Sequence, residues 1–203
     1  MATVTQFVDS VFYRISKGKP QAESGVWRVS IESTMASALQ RLAERVASNH
    51  ELYPILVNKY ELTLLPSGEV SLSGLTPTLL LSKAGRMRWT VTATGVTHPI
   101  QMRRNYIDLT NPSPNSDYYF YTVFNKSLMV RTSAGVPPIE TSIQLYGNYV
   151  PAIDDASLSM GGQLFDDLVD IGEALTLETT SQQEVIRQAE SPDGMPEMIA
   201  QEG

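Results

Sequence analysis

The chain of 203 residues contains no cysteine. Disulfides, thiolate metal sites and a nucleophilic thiol are therefore excluded. It has no run of the roughly 18 consecutive apolar residues that a membrane-spanning helix needs, so no membrane partner is expected. Charge is scarce: Asp, Glu, Lys and Arg make up 18% of residues against 42% hydrophobic ones. Histidine occurs twice, at His50 and His98, one near an expected helix end and one before a proline in an expected turn. With so few imidazoles, no His-x-x-x-His or His-Glu-x-x-His metal spacing exists. Also missing are a Gly-x-x-x-x-Gly-Lys-Ser/Thr phosphate loop and a Gly-x-Ser-x-Gly elbow. No nucleophile–base pair, cofactor fingerprint or metal cluster singles itself out, and the expectation is a protein that is not an enzyme and needs no cofactor.

Acid is missing from one stretch. Residues 70–107 hold Lys83, Arg86, Arg88, Arg103 and Arg104 and no carboxylate. Residues 1–69 balance seven basic against seven acidic residues, and residues 108–203 hold three against fifteen. The overall net charge of −7 thus conceals a basic middle and an acidic carboxy half. Such asymmetry marks candidate interaction surfaces, and those five cations are the candidate subunit or partner interface. Trp89 and Tyr106 stand among them, as in single-strand nucleic-acid binders. However, Trp89 shares the alternation of Met87 and Val91, which favours the core. The start, Met1-Ala2-Thr3-Val4, lacks a basic stretch before an apolar core, so no signal peptide is expected.

What is present divides into helical and extended periods. Val4, Val8, Val11, Phe12 and Ile15 recur at helical spacing until Lys17-Gly18-Lys19-Pro20 stops them. A second helix is expected over 31–48, with Ser30 as N-cap, Asn49 as stop, and Ile31, Met35, Ala38, Leu39, Leu42 and Val46 on one stripe. From Lys59 the period becomes two. Tyr60, Leu62 and Leu64 alternate with polar residues, Pro66-Ser67-Gly68-Glu69 turns the chain, and Val70 and Leu72 follow, as in a hairpin. Met87 to Ala93, Pro99 to Leu109, Tyr118 to Arg131 and Ile139 to Val150 read as further extended segments, with Asn125-Lys126 as a turn. A last helix is expected over 160–175, with Leu164, Phe165, Leu168, Ile171, Gly172 and Leu175 inward and Asp166, Asp167, Asp170 and Glu173 in solvent. Asp154-Asp155, in an expected loop, is the one carboxylate pair placed to meet a divalent cation. From Thr176 onward acids dominate and apolar weight falls, as in a segment that orders only on a partner.

The fold expected from these periods is α+β. A small helical part comes from both chain ends (1–57 with 152–178), with an inserted antiparallel β-sandwich or barrel over 58–151. An acidic tail, 179–203, is expected to be flexible until bound. Removing residues 176–203 is then expected to leave the unfolding midpoint nearly unchanged.

Asn125-Lys126-Ser127-Leu128-Met129-Val130, followed by Ile143-Gln144-Leu145-Tyr146 and Val150-Pro151, resembles the β-region of head-to-tail adaptor (connector, or tail-tubular ring) proteins of tailed bacteriophages. The likeness in layout spans about residues 4–175. The chain departs from that pattern after Pro151, where Ser157-Leu158-Ser159-Met160-Gly161-Gly162 replaces an aromatic-rich helix start. The resemblance implies a structural protein of the virion neck or tail, assembled in the host cytoplasm. It implies a self-ring, usually of twelve copies, between the portal protein and tail or nozzle proteins. Double-stranded DNA would pass through its lumen without sequence-specific binding, helped by an acidic wall that repels phosphate. It also implies a carboxy-terminal segment that docks on the portal, for which Leu177, Val185 and Ile186 are the apolar anchors. The alternatives are another virion component, such as a tail-completion, collar or capsid-associated protein, and a hydrolytic or carbohydrate-binding β-domain.

Overall fold

The computed structural model describes residues 1–17, 24–49, 55–81, 88–92, 97–98, 100–102, 119–138, 142–159 and 161–190. Helix α1, Val4–Ser16, starts at a capping box: Thr3 Oγ1 accepts from Gln6 N at 3.2 Å, and Gln6 Oε1 accepts from Thr3 N at 3.0 Å. Two otherwise orphaned amides are satisfied at once. Lys17, with φ of 50°, ends the helix in the left-handed conformation.

Helix α2 runs Ser24–Ser48, seven residues earlier than expected, so Ser30 lies inside it and is not its cap. The reason is tertiary. Trp27 continues the stripe one turn before Ile31 and is half-buried, while Arg28 bonds Asp9 at 2.7 Å and lies 5.4 Å over the Phe12 ring. Contacts with α1 thus extend the helix past the boundary that Ser30 suggested.

Helix α3, Gln163–Glu190, follows a 3-10 turn at Ala156–Leu158 and Gly161, whose φ is +82°. It runs fifteen residues past the expected end. Leu175 is nearly buried and Thr176 fully so, and Thr176 Oγ1 donates to Gly172 O at 2.7 Å and lies 3.4 Å from Thr34 Oγ1 on α2. Thr176 therefore belongs to the helical core. The sequence pattern missed this because threonine carries little apolar weight. Phe7, Val11, Ile31, Leu42, Val46, Leu158 and Leu168, all fully buried, fill that core. Side chains of this size contribute about 1.5–3 kcal/mol each on burial, before chain entropy is subtracted.

The extended segments form strands β1 Val57–Thr63, β2 Glu69–Ser71, β3 Thr78–Leu79, β4 Arg88–Thr92, β5 Thr97–His98, β6 Ile100–Met102, β7 Tyr119–Phe124, β8 Ser127–Arg131 and β9 Ser142–Val150. In one sheet β9 is central. It pairs antiparallel with β1 on one side (Val57↔Asn148 to Thr63↔Ser142) and with β4 and β3 on the other, and β5 pairs with β4. The second sheet has the order β2-β8-β7-β6. Tyr60, Leu62, Ile143 and Leu145 from the first sheet meet Tyr121, Leu128 and Val130 from the second in one core. The class is α+β, and among the described residues the two sheets do not close into a barrel.

Three expectations are corrected. The segments before and after Pro66-Ser67-Gly68-Glu69 are not a hairpin pair: β1 joins β9 and β2 joins β8, so the turn is a corner between sheets. Alternation reports which face is buried, not which strand is the neighbour. Arg131, nearly buried, holds that corner by donating to Ser67 O at 2.7 Å, and a Cβ on Gly68 would strike Val130 O at 2.6 Å. Next, β6 and β7 run parallel, where only antiparallel pairing was expected. A parallel pair needs a crossover of a dozen or so residues, and residues 103–118 supply that length. Finally, His98 lies in β5, opposite Val91, and not in a turn.

The β7–β8 hairpin matches its expectation. Phe124 pairs with Ser127, and Asn125 and Lys126, with φ of 50° and 60°, make the two-residue turn. Both residues carry the positive φ that such primed turns require. No helix among the described residues is long and apolar enough to cross a membrane.

Candidate assembly surfaces

Strand β9 couples the two cores. Its first half, with Ile143 and Leu145, lies in the sheet core, and its end, Tyr149 and Val150, packs on the helical core. Leu56 O accepts from Tyr149 N at 2.9 Å, so the start of β1 is anchored at the same junction. Beyond Pro151, Asp155 caps the 3-10 turn. Its Oδ1 accepts from Ser157 N at 2.9 Å and Ser157 Oγ at 2.6 Å, and its Oδ2 accepts from the Tyr149 hydroxyl at 2.9 Å. Burial alone would raise this carboxyl, but the bonds from Ser157 and Tyr149 outweigh it and hold the group below its usual range. Burial raises the Tyr149 phenol, as does the bond it donates to Asp155. Nearby, Tyr60 donates to Pro77 O at 2.9 Å, and burial pushes its phenol up to about 12.

Asp155 is thus committed to a structural cap, while Asp154 is exposed. Among the described residues, no three His, Asp or Glu side chains converge as a metal-holding group.

Asp166 and Asp170, on the side of α3 expected in solvent, are exposed, but Asp167 is largely covered and part of this acidic side is engaged within the chain. Arg14 on α1 pairs with Asp170, Arg45 on α2 with Asp167 at 3.3 Å, and Arg41 with Glu178 at 3.9 Å. Among the described residues, three of the four pairs joining the helices therefore draw on carboxylates of the acidic half. The Arg14–Asp170 and Arg41–Glu178 pairs are exposed, and pairs of that kind contribute under about 1 kcal/mol each, so they set the register of the helices more than they stabilise them.

Of the candidate interface cations, Lys83, Arg86, Arg103 and Arg104 lie outside the described residues. Arg88 opens β4 opposite Tyr146, and Trp89 lies opposite Leu145; their positions are set by backbone register. His50 also lies outside the described residues. Among the docking anchors, Leu177 is 43% exposed on α3, and Val185 and Ile186 fall further along the same helix. The three stand on one helix, while Arg88 stands in a sheet.

Two surfaces escaped the sequence reading. At the β7–β8 tip, Phe124 is 75% exposed and, with Glu69, Asn125, Ser127 and Met129, borders a cavity of about 450 Å³. Its signal was available: an aromatic residue directly before a two-residue turn has no strand neighbour beyond it to cover it. Between α1 and α3 lies a second groove of about 450 Å³, floored by the buried Phe165 and Val169 and walled by Asp9, Tyr13, Arg14 and Asp166. Nothing in the periodicity announced it, because its walls come from opposite ends of the chain. No protein-family model matches the chain, and no curated protein matches it either.

Proposed function

We propose that this chain is a structural, non-enzymatic virion protein that forms a ring joining a phage portal to the tail and lets double-stranded DNA pass. The observation that carries this reading is where the resembling residues fall. Asn125 to Val130 make the tip and second strand of the β7–β8 hairpin, and Ile143 to Val150 make β9, which runs from the sheet core into the helical core. The helices come from both chain ends and the strands are inserted between them, the layout that the resemblance implies. A strand shared by two cores transmits load between them without a flexible joint, which suits a part clamped between a portal and a tail. The exposed Phe124 tip and the half-exposed Leu177 supply apolar anchor points on the sheet and helix sides respectively.

The experiment is to mix the purified chain with the portal protein of the same phage and image the mixture by negative-stain electron microscopy. The expected result is a ring stacked coaxially on the portal with an open channel. Binding to capsid or tail protein without binding to portal would overturn the adaptor reading in favour of another virion component. Saccharide binding or hydrolysis by the isolated chain would favour the carbohydrate-active alternative.

A further inference from the structure

Strand β1 is an open edge. Its seven residues pair with β9 from Val57↔Asn148 to Thr63↔Ser142, and no described strand pairs with its other side. Tyr149 N donates to Leu56 O at 2.9 Å, so Leu56 faces β9 at the start of the ladder. Hydrogen bonding alternates along an antiparallel pair, so Asn58, Tyr60 and Leu62 also turn their N–H and C=O groups to β9. Val57, Lys59, Glu61 and Thr63 turn theirs outward. This row of donors and acceptors has no proline and no break in register to blunt it. Proteins often protect such an edge with a charge, commonly a lysine. Here two charges of opposite sign stand two residues apart on the exposed face. The Lys59 and Glu61 side chains are 41% and 72% exposed and lie 3.3 Å from each other.

A twofold axis through Tyr60 lays this row onto itself. Two copies of β1, placed antiparallel about that axis, set Lys59 of each copy opposite Glu61 of the other and Val57 opposite Thr63. All four outward-turned residues then fall at hydrogen-bonded positions, and the Lys59–Glu61 match occurs twice. The charges also fix the register. The nearest slips that keep the hydrogen bonds aligned are of two residues, and they set Lys59 against Lys59 or Glu61 against Glu61. We propose that β1 is a self-association edge, which pairs antiparallel with β1 of a second copy of this chain so that the β9-centred sheet continues from one copy into the other. Such a contact is isologous, whereas the contacts of a closed ring are heterologous, so this inference stands apart from the ring reading.

Because the chain has no cysteine, the register can be read by thiol chemistry on the full-length protein. Val57→Cys and Thr63→Cys chains are purified separately, mixed at high concentration and treated with a short bis-thiosulfonate crosslinker. In the proposed register, positions 57 and 63 of different copies lie about 5.5 Å apart between Cα atoms. Two copies of position 57, or two of position 63, are displaced by six residues along the strands, roughly 20 Å. The expected result is a covalent dimer from the mixture and little from either chain alone. Adding Lys59→Glu to both chains should cut the yield about tenfold, because like charges then face each other at both matched positions, and Glu61→Lys in both should do the same. Lys59→Glu in one chain with Glu61→Lys in the other should restore it, which would also show that both variants fold. Crosslinking of either chain with itself at the mixture's yield, an absence of crosslinks in the mixture, or a yield indifferent to these charges would overturn the proposal. Rings on portal without this crosslink would leave the adaptor reading standing and this inference refuted.

Discussion

Gly172→Ala is expected to destabilise this protein, although alanine is the better helix former. Gly172 sits in the middle of α3 where α1 crosses it. A Cβ there would meet Phe7 Cζ at 2.6 Å, Phe7 Cε2 at 2.9 Å and Val11 Cγ2 at 3.1 Å. Phe7 and Val11 are both fully buried, so neither side chain has open space to retreat into. Helix propensity favours the substitution by about 1 kcal/mol. Overpacking a filled core costs typically about 1–3 kcal/mol. The overlap lies at the severe end, so the net expectation is a loss of about 2 kcal/mol, or a fall of about 4–8 °C in the unfolding midpoint for a chain of this size. Thermal and urea unfolding followed by circular dichroism would measure it. The same substitution in a Phe7→Leu background should cost clearly less, because the shortened side chain vacates the space, and the double-mutant cycle isolates that coupling. A rise in midpoint on Gly172→Ala in the parent chain would refute the reasoning, since it would mean that α1 moves aside at no cost.

Deleting residues 176–203 should lower the midpoint of the isolated chain by about 4–8 °C, because the fully buried Thr176 goes with the tail; an unchanged midpoint would place the core boundary at Leu175. Asp155→Ala should cost about 1 kcal/mol through loss of the cap. Because the folded carboxyl is held low, its contribution is present above the usual aspartate range and fades as pH falls through and below it, so the variant should show a shallower acid limb in a stability–pH profile. Tyr60 should ionise at about 12, and the neutral phenol's contribution is present below pH 10.0 and fades between 10.0 and 12. Absorbance titration at alkaline pH should lose its last step in Tyr60→Phe.

Where local chemistry decides, the sequence sufficed. The stripe of α1, the alternation of β1 around Tyr60 and Leu62, and the Asn125-Lys126 turn follow from side-chain period and backbone tolerance. So does the α+β class, because helical and extended periods occupy separate stretches. Where partners decide, sequence alone did not suffice. The corner at Gly68 looks like a hairpin because both flanks alternate, and only the assembled sheets assign β1 to β9 and β2 to β8. Ser30 has a capping residue's chemistry, yet contacts of Arg28 with Asp9 and Phe12 on α1 carry α2 past it. Thr176 and Asp167 read as solvent-facing because polarity is a property of the residue, while burial and pairing are properties of its neighbours. The candidate surfaces show the same division. The basic stretch from Lys83 to Arg104, five cations without an acid, is visible in composition alone. The walls of the α1–α3 groove, Asp9 and Tyr13 from one chain end and Asp166 from the other, exist only because packing of apolar stripes brings the two ends side by side.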